Sequence, residues 1–132
     1  MRAGTARLVT IRAGDQVVCD RCVLADRPLA RMRGLLGRRG LARGEGLLIR
    51  PTNSVHTFFM RFPIDVVFLD RDETIVKIAD NVAPWRMRAA RGARSVLELA
   101  AGESTRLGLR AGARLQIAEV GSRATAATRG DS

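Results

Sequence analysis

The residues able to do chemistry gather in the middle of the chain. His56, the only histidine, stands in Ser54-Val55-His56-Thr57-Phe58-Phe59-Met60-Arg61, and Asp65 follows in Ile64-Asp65-Val66-Val67-Phe68-Leu69. Alternation in these runs predicts strands over 55–60 and 64–69 with apolar bulk on both faces, which places them centrally. His56 is then expected inside, where its plainest role is a core imidazole hydrogen-bonded to backbone or to a carboxylate. Asp65 shares a face with Val67 and Leu69, where an unpaired carboxylate is costly. Its candidate partners are Arg61, His56, backbone amides at the Phe62-Pro63 bend, a bound cation or a ligand hydroxyl. Glu98 repeats the pattern between Leu97 and Leu99. If His56, Asp65 and Glu98 converge, with Arg61 nearby and the 83–94 segment carrying Trp85 as a gate, they line a polar pocket with hydrophobic walls. Trp85, beside Pro84, has the simpler reading of a lid on the core.

Cys19-Asp20-Arg21-Cys22 has a spacing used in redox and zinc sites. In a regular strand, three steps of ~3.3 Å would hold the two alpha carbons about 10 Å apart with side chains on opposite faces, too far for a disulfide. A zinc site needs more ligands than one histidine and one cysteine pair provide. The expectation is two reduced thiols, no metal and no cofactor.

The elements that must position these residues are mostly strands. Leu8–Ile11 and 16–24 flank the Gly14-Asp15 turn and predict a hairpin. Asp26 and Pro28 open a short helix over about 27–37, with Leu29, Met32, Leu35 and Leu36 on one face and arginines on the other. Extended segments then recur at 46–50, 55–60, 64–69, 74–79, 81–86, 95–99 and 114–120, separated by Gly, Pro, Asn and Asp. This rhythm predicts a mainly β domain, a compact jelly-roll-like sandwich or barrel. Asp70–Glu73 makes a hairpin loop in which Asp70 forms the turn, and Glu103-Ser104-Thr105 begins one helical turn before Gly108. One domain is expected over 1–120, with 121–132 as a flexible tail.

Hydrophobic residues at 46% and charged residues at 27% are those of an ordinary globular chain and exclude a disordered or collagen-like one. No apolar run approaches the ~20 residues of a spanning helix and no signal block opens the chain, so a soluble, cytoplasmic protein with no membrane association is expected. The net charge of +10 points toward phosphate-bearing partners. Every basic residue except Lys77 is arginine, however, and Ala and Gly are abundant. That composition fits a high-GC genome acting on replaceable surface cations, because a phosphate-binding surface has no physical reason to refuse lysine.

The ordered blocks Arg31-Met32-Arg33-Gly34-Leu35-Leu36-Gly37-Arg38, Gly44-Glu45-Gly46-Leu47-Leu48-Ile49, His56-Thr57-Phe58-Phe59-Met60, Ile64–Asp70 and Val96-Leu97-Glu98-Leu99 with Ala101-Gly102 resemble the DUF192 family over roughly 16–120. The resemblance implies a compact, mostly β domain with a short early helix, and no particular activity. Where Phe-Trp-Met-Lys-Asn is the more frequent central motif, this chain has Phe58-Phe59-Met60-Arg61.

Three function classes follow. The leading one is a small-ligand binding or accessory module, whose partner is an unidentified small ligand or protein and whose site is His56, Asp65, Glu98, Arg61 and Trp85. The second is a carboxylate- or metal-dependent enzyme, although no serine sits in a nucleophile motif and a single histidine would carry all the proton transfer. The third is nucleic-acid association through the arginines of 27–43 and 86–94, which lack an aromatic stacking stripe in the sequence.

Overall fold

The computed structural model describes residues 7–25 and 39–120. Strands β1 (Arg7–Ala13) and β2 (Gln16–Ala25) pair antiparallel about the Gly14-Asp15 turn. Gly14 there has φ 63, a left-handed conformation that costs glycine nothing. The other strands are β3 (Glu45–Ile49), β4 (Ser54–His56), β5 (Ile64–Leu69), β6 (Ile75–Val82), β7 (Met87–Ala89), β8 (Ser95–Ala100) and β9 (Gln116–Glu119). Seven of them form one sheet in the order β6-β5-β8-β3-β2-β1-β9, and β4 and β7 form a separate two-stranded ribbon. The protein is thus mainly β. The helix expected over 27–37 and the tail over 121–132 lie outside the described residues. The single turn expected near Glu103 is present as α1 (Glu103–Arg106).

The large sheet closes on itself. Beyond β9, which pairs with β1, residues 112–115 hydrogen-bond to the start of β6: Ile75 N–H donates to Ala113 O at 2.8 Å, Gly112 N–H to Ile75 O at 2.8 Å and Leu115 N–H to Glu73 O at 2.9 Å. These bonds join the two ends of the sheet at the start of β6. Alternation along the strands then sorts the apolar residues into two cores. Val9, Ile11, Leu48, Val67, Leu69, Leu97 and Leu99 fill the barrel with Leu107 and Leu115. Leu47, Ile49, Ile64, Val66, Phe68 and Val96 point outward and are covered by Met60, Ala90 and Ala93, from the turns that flank the ribbon. Each fully buried Leu, Ile or Phe contributes about 1.5–3 kcal/mol of transfer free energy. Lys77 helps hold the ribbon down: its ammonium donates to Ala89 O at 2.9 Å and lies 5.8 Å from the centroid of Phe68.

Two expectations are corrected here. The 55–60 segment is not a central strand: only Ser54–His56 pair, with β7 on the outer layer, and the chain turns at Thr57. The cysteines do not face opposite ways either. Val9 pairs with Cys22 and Ile11 with Cys19, so three steps on β2 match two on β1, and both Asp20 N–H and Arg21 N–H donate to Gly44 O. This β-bulge turns both thiols into the barrel core, where both are free and buried. The hydrogen bond to Cys19, together with burial, pushes the Cys22 thiol far above its ordinary pKa.

Candidate functional site

Thr57 joins the two loops that carry the aromatic residues. Its hydroxyl donates to Ala83 O at 2.7 Å and accepts from Arg86 N–H at 2.9 Å. Its own N–H donates to Arg86 O at 2.8 Å, and its carbonyl accepts from Trp85 N–H at 3.0 Å and Met60 N–H at 3.2 Å. Thr57 is only 1% exposed, so these bonds operate away from competing water. They hold the 57–60 and 83–86 turns side by side at the end of the β4–β7 ribbon.

The consequence is an exposed aromatic face. Phe58 and Trp85 stack with ring centroids 5.6 Å apart at 25°, and His56 lies tilted against Phe58 at 4.8 Å and 31°. Phe59 meets Trp85 edge-on at 4.6 Å and 60°. Phe59 is 65% exposed, Trp85 55% and Met87, the cross-strand partner of His56, 61%. Bulky residues in water are held here at backbone cost: φ is 68 at Phe59 and 67 at Trp85, a region that costs a non-glycine residue about 1–2 kcal/mol. Strain of this kind accumulates at functional sites. Phe58 N–H donates to His56 Nδ1 at 3.3 Å, which leaves Nε2 as the ring atom for a ligand.

Arg86 and Arg88 are anchored through the backbone, Arg86 on the loop that carries Trp85 and Arg88 on the opposite side of the ribbon, beside Val55. Arg86 Nη1 donates to Trp85 O at 3.3 Å and Arg88 Nη1 to Met87 O at 2.7 Å. Arg61 is exposed just beyond Met60. No acidic residue occurs in 50–63 or 83–94.

Asp65 and Glu98 lie elsewhere. Asp65 is fully buried on the barrel side of β5. Its Oδ1 accepts from Asn81 N–H at 2.8 Å, and its Oδ2 accepts from Ser104 N–H at 2.8 Å and Ser104 Oγ at 2.7 Å. The partner its sequence position required is therefore α1 and the end of β6, supplied by residues not among the expected candidates. Glu98 points to the other side of the sheet, paired with Leu47 and Val66 of the outer core. Among the described residues no hydrogen bond or ion pair reaches its carboxyl, and burial pushes its pKa up to about 8. The expected convergence of His56, Asp65 and Glu98 does not occur: one is exposed on the ribbon, one faces the barrel interior and one faces the outer core. His56, Trp85 and Arg61 belong to the ribbon and its adjoining loops. Sequence reasoning missed Thr57, Phe58, Phe59 and Met87, although the crowding of every phenylalanine between Ser54 and Asp70 was the available signal. Among the described residues, no three His, Cys, Asp or Glu side chains group so as to hold a metal ion, and no helix is long and apolar enough to cross a membrane.

Fold and site together define a small closed β-barrel domain that displays aromatic rings on an outer ribbon. The chain belongs to the DUF192 family, described as uncharacterized ACR, COG1430, whose model matches residues 9–117. A crystal structure of a protein of unknown function from Novosphingobium aromaticivorans DSM 12444 superposes with a TM-score of 0.73 at 24% identity, covering 86% of this chain and 94% of that one. A protein from Sinorhizobium meliloti 1021, provisionally described as a transcription regulator, superposes at 0.72 with 28% identity, over 85% of this chain and 93% of the other. No curated protein matches the chain.

Proposed function

We propose that this domain is a binding or accessory module that takes a ring-bearing ligand on the aromatic face of the ribbon. The observation that carries the reading is the ring series His56, Phe58 and Trp85, with Phe59 against it, kept exposed at the cost of two left-handed aromatic residues. The ring surface left in water adds no burial to the fold, and a flat ligand laid against it gains both burial and stacking. Asp65, with its carboxylate bonded to Ser104 and Asn81, supports the barrel beneath in this reading and does not touch the ligand.

The chain has one tryptophan and no tyrosine, so its emission comes from Trp85. Titration with nucleosides, neutral monosaccharides and nucleoside monophosphates is expected to give a saturable emission change with at least one of them. That change should be lost in Phe59→Ala while the melting transition persists. Emission unmoved by every ring-bearing compound would overturn the reading.

A further inference from the structure

We infer that the natural ligand of this face is single-stranded nucleic acid, its unpaired bases stacking on Trp85 and Phe59 while Arg61 and Arg86 receive its phosphates. The inference rests on the ring-binding reading above and adds the ligand's chemistry. Two observations carry it. First, the charged side chains of the two segments that carry the rings are all cationic. Arginine offers guanidinium N–H groups and no acceptor, and no acid occurs in 50–63 or 83–94, where Arg50, Arg61, Arg86, Arg88, Arg91 and Arg94 stand. A neutral sugar would leave these cations without a charge partner. A phosphodiester only accepts and carries the opposite charge.

Second, one guanidinium group is already placed. Arg86 spends one N–H on Trp85 O at 3.3 Å. This ties a cation to the residue that carries the exposed indole and leaves its remaining donors for a ligand. Phe58, stacked on Trp85 at 25°, sets up the plane-to-plane geometry that a base continues. Stacking platforms flanked by cations are how unpaired strands are held without sequence preference. The composition-driven arginine content of the chain explains the charge but not its coincidence with the exposed rings.

The test uses the full chain with a fluorescein-labelled oligouridylate, read by anisotropy and by Trp85 emission. A duplex of equal length, uncharged nucleosides and phosphatidylglycerol vesicles are run in parallel. The expected result is binding of the single strand in preference to the duplex, with Trp85 emission quenched. The log–log salt slope should be roughly −1.4, from about 0.7 per phosphate for two phosphates. Trp85→Ala should weaken binding roughly tenfold; Phe59→Gly, whose backbone tolerates the left-handed turn, should do the same. Arg61→Ala and Arg86→Ala should each lower the slope by roughly 0.7. Equal or tighter duplex binding, binding without salt dependence, or vesicle binding with no strand binding would overturn the inference. Nucleosides or sugars that bind while the strand does not would overturn it too and leave the ring-binding reading intact.

Discussion

Asp65 and Ser104, thirty-nine positions apart in sequence, meet through two hydrogen bonds to one carboxylate oxygen: the serine amide at 2.8 Å and its hydroxyl at 2.7 Å. With Asn81 N–H on the other oxygen at 2.8 Å, this carboxylate fastens β5, the end of β6 and α1 together. Hydrogen bonds to a charged group contribute about 1.5–3 kcal/mol each. Ser104→Ala removes one donor and is expected to cost about 1–2 kcal/mol. Asp65→Asn places an amide nitrogen against these donors and is expected to cost more, about 2–4 kcal/mol. Chemical denaturation measures both, and the emission response of Trp85 to ligand should survive in each folded variant. Loss of that response without loss of stability would return Asp65 to the ligand site.

How much of this was legible in the sequence depends on what fixes each feature. Asp70 read correctly as a turn-maker because its partners are local: Oδ1 accepts from Asp72 N–H at 2.8 Å and Thr74 N–H at 3.0 Å. The need of Asp65 for a partner was legible from alternation, but Ser104 was not, because only tertiary folding brings α1 to β5. Phe58 and Phe59 misled for a different reason. Their apolar character reads as core in any pattern, whereas Thr57 ends the strand before them and leaves Phe59 in water. The cysteines failed through one extra residue, since a bulge reverses the parity on which the opposite-face expectation rested.

Thr57 should prove the most sensitive residue near the aromatic face. Thr57→Val keeps the shape but removes the donor to Ala83 O and the acceptor for Arg86 N–H. Leaving these two part-buried backbone groups without their partner is expected to cost about 1–2 kcal/mol. Thr57→Ser, which keeps the hydroxyl, should stay within about 1 kcal/mol of the parent. Trp85 emission without ligand should shift in the valine variant, because the turns are no longer held together. Equal melting temperatures for the valine and serine variants would show the hydroxyl to be idle.

At Phe59 the backbone and the ring make opposite contributions. Phe59→Gly relieves a left-handed strain of about 1–2 kcal/mol and loses an edge contact with Trp85 of about 0.5–1.5 kcal/mol, so its stability should fall within about 1 kcal/mol of the parent. Phe59→Ala loses the same contact and keeps most of the strain, and is expected to be less stable than the glycine variant by about 1 kcal/mol. This order reverses the usual preference for alanine over glycine, and thermal melts of the two variants check it. Alanine equal to or above glycine would mean that φ at 59 is not held positive in solution.

Glu98 gives the fold a pH dependence of defined sign. Its pKa rises from 4.5 in the unfolded chain to about 8 in the fold, because burial disfavours the charged form. Between these values the folded state holds a proton that the unfolded state has released. The stability tied to the neutral carboxyl is therefore fully present below about pH 4.5 and declines as pH climbs to about 8. At 1.36 kcal/mol per pKa unit the full loss is on the order of 3–5 kcal/mol, an upper bound once relaxation and water entry are allowed. Glu98→Gln cannot ionise. It should lie within about 1 kcal/mol of the parent at pH 5 and exceed it by a few kcal/mol at pH 9. Urea unfolding of both proteins across that range measures the difference, and parallel curves would mean that the carboxyl at 98 is already charged in the folded protein at neutral pH.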